Sequence, residues 1–468
     1  MSVAPFASSK KSSHSDGEWP PSWNTMPHGI SVGRYIDPAF ARLEHEKLWS
    51  RVWQAAARLD EIPETGDYTV YDIGDQSVLL VRVDESTVKA YFNVCPHRGT
   101  ALGQGCGTFQ GGQIICPFHG WRWNLAGQNK FVLERQEFRN GQLSDADVAL
   151  KEVKAVVFAG FVFINLSRNP EPFDEFIAPV RHLIEGLAIG DMHQYWWKSI
   201  PIAANWKVAE EAFFEAFHVP MTHPQLEKGG AEVVRGKRDD AEFTHRYVNY
   251  ENYPHGHGRF YGGKKTPMAG HINERKGDPL EEMAARLKLL VDGMDAMVLQ
   301  GDIDVLLSLR GRPIPEGSSL GGEYMKALYA HAAAEQRPMP KPVPEILEMW
   351  GGEIFIFPNL MILPHAGNAM IYRVRPDGFD PDHCTFEIWS AKTYPAAVKP
   401  PRPTVETVTD GTDPNQLLLI PRQDLGNIPR IQKGVHSRGI RQTFLAVEQE
   451  KLILNMHQEL DRYLQSEQ

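Results

Sequence analysis

Two short loops constrain this chain more than any other feature. Val94-Cys95-Pro96-His97-Arg98-Gly99 and Ile115-Cys116-Pro117-Phe118-His119-Gly120-Trp121 each carry one cysteine and one histidine, with eighteen residues between His97 and Cys116. The prolines and glycines suit tight loops whose backbone N–H groups can face a bound group. Two thiolates and two imidazoles can hold one zinc ion tetrahedrally. A zinc finger, however, normally pairs its cysteines together and its histidines together, whereas each loop here supplies one of each. That division matches a [2Fe–2S] cluster with unlike irons, one bound by two thiolates and the other by two neutral imidazoles, which raise the reduction potential. The fold must therefore bring two loops tip to tip.

The remaining composition narrows the class. Cys106 and Cys384 complete a set of only four cysteines in 468 residues, too few for a disulfide framework, and both read as plain thiols. Lys plus Arg number 49 and Asp plus Glu 59, a formal charge of −10, which argues against a nucleic-acid partner. The longest apolar stretch, Val153–Leu166, contains Lys154 and is too short to span a bilayer, so no membrane insertion is expected. Met1–Gly17 is rich in Ser and Lys without an apolar core, which predicts a disordered tail instead of a signal peptide and a cytoplasmic location.

Hydrophobic periodicity divides the chain. Residues 1–34 read as tail and lead-in, 35–168 as a small all-β unit preceded by a helix over Tyr35–Ala57, and 169–468 as a larger unit. Short β runs at Tyr68–Tyr71, Val78–Arg82 and Val88–Phe92 are separated by turn residues, and an apolar strand follows at Val156–Leu166. In the larger unit the pattern predicts a helix over Trp206–His218. It also predicts strands at Glu353–Phe357, Met370–Val374 and Thr385–Trp389, and a final helix over Leu445–Leu464. Residues 255–345 are an elaborated stretch. Within it, Asp278-Pro279 reads as a helix start, and Met283, Leu287, Leu290, Met294 and Met297 fall on one helical face. That face is expected to pack as core, with a methionine-lined lid as the alternative.

Two further segments carry donors. The acidic, aromatic run Asn205–Phe217 leads into His218-Val-Pro220-Met-Thr-His223, and Pro421-Arg-Gln423-Asp424 leads to Gln432-Lys-Gly434. Alone, these histidines read as ordinary core or surface residues and Asp424 as a solvated carboxylate. Two imidazoles and one carboxylate on one face would leave open positions on an Fe(II) that binds O2.

Taken together, Cys95-Pro-His97-Arg-Gly with Cys116-Pro-Phe-His119-Gly-Trp resembles the Rieske centre of the ring-hydroxylating oxygenase α subunits. Glu215-x-x-His218-x4-His223 and Gln423-Asp424…Gln432-x-Gly434 look like the mononuclear-iron segments of the same family. The resemblance runs from about Tyr35 to Leu464. It implies that Cys95 and Cys116 ligate one cluster iron and His97 and His119 the other. It also implies that His218, His223 and Asp424 hold the mononuclear iron. Glu215 matches the carboxylate that, in the family's trimers, lies between these ligands and a cluster histidine of the neighbouring subunit, here His119.

The resemblance further implies an α+β fold: an all-β Rieske domain joined to an antiparallel sheet wrapping a C-terminal helix in helix-grip fashion. It implies a terminal oxygenase fed from NAD(P)H by a separate reductase, with or without a ferredoxin, acting on O2 and a small organic substrate by dihydroxylation, monohydroxylation or dealkylation. A homotrimer is expected, with or without a β subunit. Three departures stand out. Glu215 replaces the Asp of the best-known aromatic dihydroxylating members, Phe118 replaces a frequent Tyr, and residues 255–345 are elaborated. Phe213, Phe214, Phe217 and the Phe357–Ile362 segment are the candidate pocket walls, which favours an aromatic substrate. Tyr247, Tyr250, Tyr253, Phe260 and Tyr261 offer the competing reading, an aromatic cage for a quaternary ammonium compound. An electron-transfer Rieske protein without catalysis would lack the mononuclear iron, and a zinc-stabilised binding module would be colourless.

Overall fold

The computed structural model describes residues 19–226, 248–262 and 277–466. The Ser- and Lys-rich tail and Tyr247 lie outside them. The smaller unit is a seven-stranded sheet in the order Gln54–Arg58, Phe161–Asn165, Glu152–Phe158, Val88–Phe92, Gln76–Arg82, Asp67–Ile73 and Cys106–Thr108. A three-stranded sheet of Gln113–Ile115, Arg122–Asn124 and Asn129–Phe131 is joined to it. Asp67–Ile73 alternates buried and partly exposed side chains, as a strand with one covered face should. All neighbouring strands in both sheets run antiparallel.

The larger unit carries an eight-stranded sheet in the order Val248–Asn252, Gly258–Gly262, Glu353–Ile356, Leu360–Pro364, Asn368–Asp377, Asp380–Lys392, His193–Ile202 and Val405–Thr407. Only Val405–Thr407 runs parallel to its neighbour. Helices Trp206–Glu211, Leu419–Val435 and Lys451–Gln465 pack around this sheet. The fold is thus α+β, as the sequence implied. No helix among the described residues is long and apolar enough to cross a membrane.

Several boundaries differ from expectation. The helix predicted over Tyr35–Ala57 is broken into Gly33–Ile36, Pro38–Glu44 and a π turn at His45–Trp49. Residues Gln54–Arg58 then form a strand. Ala55, Ala56 and Ala57 favour helix in isolation, but here every position of the strand is buried between the two sheets. Asn359 holds the backbone of Ala55 at both its N–H and its carbonyl, and Arg373 bonds the Ala56 carbonyl. Tertiary contact overrides local propensity.

The N-terminal helices join the larger unit by their side chains. Tyr35 donates to Glu211 at 3.0 Å, Lys207 to Glu44 at 2.6 Å, and Arg34 pairs with Asp461. The helix expected over Trp206–His218 stops at Glu211, and the final helix begins at Lys451 because Glu450 folds back to accept the Ala446 N–H. Pro279–Met294 is a helix capped by Asp278. Leu287 and Met294 on its methionine-bearing face are core, as is Met297 beyond the helix end, and Gly293 lets the helix approach Leu419–Val435, since a Cβ there would lie 2.6 Å from Ile420.

Arg373 also joins the units energetically. Its Nε donates to Glu387 at 2.7 Å, with both side chains buried, while its second donor reaches Ala56 across the junction. Arg373→Met should lower stability by about 3–5 kcal/mol, because Glu387 is left buried without its partner. The double variant Arg373→Met/Glu387→Leu should recover most of the loss in chemical denaturation. Equal loss in the double variant would show that the charge pair is not the cause.

Candidate metal centres

The two cysteine–histidine loops are copies of one backbone design. The Cys95 N–H donates to the Thr100 carbonyl at 2.8 Å and the Gly99 N–H returns to Cys95 at 2.9 Å. Likewise, the Cys116 N–H donates to Trp121 at 2.8 Å and the Gly120 N–H to Cys116 at 3.0 Å. Each loop needs a glycine at the left-handed corner, with φ of 82° at Gly99 and 68° at Gly120. Cys95 and Cys116 are buried against Trp121, Trp123 and Leu79, whereas the histidines lie nearer the surface.

His97 stacks on Trp121 with ring centroids 4.9 Å apart, and its Nδ1 lies 3.2 Å from Nδ1 of His119. The donors therefore form two like pairs, sulfur beside sulfur and imidazole beside imidazole. Burial, with Cys116 alongside, pushes the Cys95 thiol up to about 11. Two thiolates there require a cation to be stable. Burial and then His119 hold His97 below the usual imidazole range, keeping it neutral as a ligand must be. This donor set fits a two-iron cluster with unlike irons better than a single zinc ion. Phe118, where a Tyr hydroxyl would otherwise stand, is 54% exposed and lies beneath the Arg98 guanidinium.

The second centre is more compact. Among the described residues, only His218, His223 and Asp424 bring three ligand-type atoms within 4.8 Å of one another. His223 Nε2 is 2.9 Å and His218 Nε2 3.6 Å from Asp424 Oδ1. The local chain explains the convergence. After helix Trp206–Glu211 the backbone leaves helical geometry, and Glu215 accepts the His218 N–H at 2.9 Å. A short helix, Val219–Thr222, then carries Pro220 in its first turn, where the missing N–H does no harm. Asp424 comes from the buried face of helix Leu419–Val435, so it is not the solvated loop carboxylate that its local sequence suggests.

Both imidazoles are oriented through the nitrogen that points away from the centre. His218 Nδ1 meets Glu215 Oε1 at 2.7 Å, and His223 Nδ1 meets Gln423 Oε1 at 2.9 Å. Acceptors there fix the tautomer and leave each Nε2 free to bind a metal. Gln423 is in turn held by Gln225 at 2.7 Å. Burial opposes a charge on His218, but the hydrogen bond and charge of Glu215, with Asp424 behind, outweigh it and raise its pKa. Two neutral-capable imidazoles and one carboxylate, all buried or nearly so, fit a non-haem Fe(II) with open positions.

The role of Gln423 was not visible in the sequence, although it adjoins Asp424. Gln432 is a frame residue. It accepts the Asn205 N–H at 3.1 Å, and Asn205 caps the helix leading to the site.

A cavity of ≈ 400 Å³ opens beside the triad, lined by Ala212, Glu215, His218, Thr222, Asp424 and Ile428 among others. The aromatic wall residues fall elsewhere. Phe213 packs on Tyr372 and Phe214 on Phe355, with centroids 4.5 and 4.2 Å apart, and both are buried core. Phe357 is buried against Tyr463, while Phe217 is 49% exposed. The proposed tyrosine cage is already filled. Arg259 sits over the Tyr261 ring at 4.5 Å, and Tyr253 and Tyr261 both donate to Glu251 at 2.7 Å. Tyr250 faces the iron side instead, where its hydroxyl accepts the Ala216 N–H at 3.1 Å.

Comparison with known proteins gives two family matches. The Rieske [2Fe–2S] domain matches residues 52–143. The ring-hydroxylating α subunit catalytic domain matches residues 189–286 and 310–466. The chain is 30% identical over 205 residues to the glycine betaine monooxygenase oxygenase subunit of Pseudomonas aeruginosa, covering 43% of this chain and 46% of that one. It is 29% identical over 195 residues to the chloroplastic choline monooxygenase of Spinacia oleracea, covering 40% and 44%. The chain thus spans less than half the length of these curated relatives. Among solved structures, the quaternary ammonium Rieske monooxygenase CntA aligns with TM-score 0.61 at 16% identity, over 96% of this chain and 100% of that one. Naphthalene 1,2-dioxygenase from Rhodococcus sp. aligns with TM-score 0.58 at 16% identity, over 93% and 94%. Both likenesses are of fold.

Proposed function

The chain belongs to the ring-hydroxylating α-subunit family, and we propose that it is the terminal oxygenase of a Rieske system, served by a separate NAD(P)H-dependent reductase. The observation that carries this reading is the triad His218, His223 and Asp424, with both imidazole Nδ1 atoms already tied to acceptors. Cys95, Cys116, His97 and His119 would hold the cluster and the triad the mononuclear iron; when bound, these groups supply electrons and O2 activation, respectively. Residues 35–168 and 169–468 are the corresponding domains of this proposal.

The remaining work falls to the chain's own groups. Glu215 orients His218 by accepting a hydrogen bond from its Nδ1–H, and the Gln423 amide oxygen does the same for His223. The dry setting of Asp424 and His223 excludes water from the inner side of the triad. The outer side opens to the cavity, and Phe217 and Met221, neighbours in sequence of its lining residues His218 and Thr222, are exposed. In the homotrimer that we propose, this mouth would receive the loop bearing His119 of the partner subunit, whose neighbour Phe118 is equally exposed. A cytoplasmic location goes with dependence on NAD(P)H.

For substrate we propose a quaternary ammonium compound. The relatives named above act on glycine betaine and choline, and position 215 is Glu. The aromatic reading loses Phe213 and Phe214, which are committed to the core. Following O2 and NADH consumption with product mass, across ammonium and aromatic panels, tests the class. Turnover of aromatics alone would overturn it.

Glu215→Gln tests the oxygenase reading. Both metals should remain bound, since neither ligand set is touched, while coupled turnover falls by about 100-fold. Full activity in this variant would remove Glu215 from the mechanism.

A further inference from the structure

We propose that Glu353 and Glu210 form the cation-recognising end of the substrate site and take a quaternary ammonium head group; this rests on the substrate reading above and assigns it to residues. Glu210 ends helix Trp206–Glu211, one residue from its C-terminus, and Glu353 opens strand Glu353–Ile356. They are 0% and 2% exposed. Neither oxygen of Glu210 nor Oε1 of Glu353 has a hydrogen-bond partner among the described residues. A buried carboxyl without a partner is strongly unfavourable and rare, and calls for an explanation in function.

Sheet register shows what surrounds them. Tyr250 pairs with Phe260 and Phe260 with Glu353, so the three lie in one row across adjacent strands, their side chains on one face. Tyr250 reaches from that row to the Ala216 N–H, next to Glu215. On the same face, two residues along the strand from Glu353, Phe355 packs on Phe214. The row therefore faces the segment that carries the iron ligands. Acid and aromatic surface together, with no cation bonded to either acid among the described residues, suit a large, weakly hydrated cation.

The acids are neutral before a ligand arrives. Burial drives both well above the usual carboxylate range, with Glu211 and then Glu353 adding to the rise at Glu210 and Glu215 to that at Glu353. Lys207 opposes this for Glu210; Tyr250 and Tyr372 are the other titratable groups beside Glu353, and Cys384 the one beside Glu210. An entering ammonium supplies the missing positive charge, so one carboxyl ionises and its proton leaves to solvent. No covalent bond forms or breaks in the ligand.

Choline and its neutral carbon isostere, 3,3-dimethylbutan-1-ol, test the assignment by calorimetry on the holoenzyme. The wild type should prefer choline by about 30-fold, the ratio for about 2 kcal/mol of desolvated cation recognition. It should also release a proton, seen as a buffer-dependent heat. Glu353→Gln should abolish both the preference and the release. The amide is nearly isosteric with a neutral acid, so folding should persist, as a thermal melt will show; should it fail, Glu210→Gln carries the same expectation. If the wild type prefers choline and both glutamine variants keep that preference, the assignment is overturned while the ammonium reading stands. If the wild type shows no preference, both fall.

Discussion

Asp424→Ala should lower the iron content from about three to about two per chain, leaving the cluster spectrum unchanged. Turnover should fall by about 1,000-fold or more, since metal-assisted activation is worth several kcal/mol. The reasoning starts from how the triad is built. His218 and His223 come from one segment and Asp424 from a helix two hundred residues later, and only the carboxylate closes the set. Without it, two imidazoles remain whose Nδ1 atoms are held by Glu215 and Gln423 but whose Nε2 atoms face no anionic donor. The cluster loops lie in the other sheet system and share no residue with this site. A variant that keeps its third iron would show that Asp424 is not a ligand. Asp424→Asn sharpens the result, because it preserves shape while removing the charge.

How much of this was legible in the sequence depends on the range of the interaction. The cluster loops were readable because all four donors lie in two short loops whose Cys, Pro and Gly residues are set by local backbone geometry. The strands of the cluster unit were readable for the same reason, through period-two burial at Asp67–Ile73 and clear turns. Gln54–Arg58 was not, because three alanines give no alternation and their strand state comes from Asn359 and Arg373, some three hundred residues away. The site helix was misjudged at its end. Nothing local to Phe213 and Phe214 says that they will leave the helix to pack on Phe355 and Tyr372.

Asp424 shows the same limit from the other side. Its segment contains Pro421 and Pro429 and reads as a loop, yet it folds as helix Leu419–Val435. Pro421 falls in the first turn, where no N–H is needed, and one face packs on Pro279–Met294 through Gly293. The tyrosine cage failed for a different reason. Sequence places aromatic rings near one another but does not show that Arg259 occupies the space between Tyr253 and Tyr261. Buried acids without partners, Glu210 and Glu353, carried no signal in the sequence beyond their place in an acidic helix and at the start of a strand.

Cys116→Ser should have the broadest consequence of any single change. Loss of one thiolate leaves Cys95 as the sole sulfur donor to its iron, and a cluster needs both. Iron should fall to about one per chain, the brown colour and the reduced-state EPR signal should vanish, and turnover with the physiological reductase should be undetectable. The mononuclear iron should stay, because its three donors and their acceptors Glu215 and Gln423 lie outside the loops. The loops themselves should loosen. Their backbone bonds from Cys95 to Thr100 and from Cys116 to Trp121 remain possible, but the stacked His97 and Trp121 and the paired imidazoles lose the group that they enclose. Hydrogen exchange should therefore rise at residues 95–100 and 116–121 and stay low in the strands Gln76–Arg82 and Phe161–Asn165, which are fully or largely buried. A single zinc ion in place of the cluster would give a colourless wild type and one zinc per chain, and that result would overturn the cluster assignment at its root.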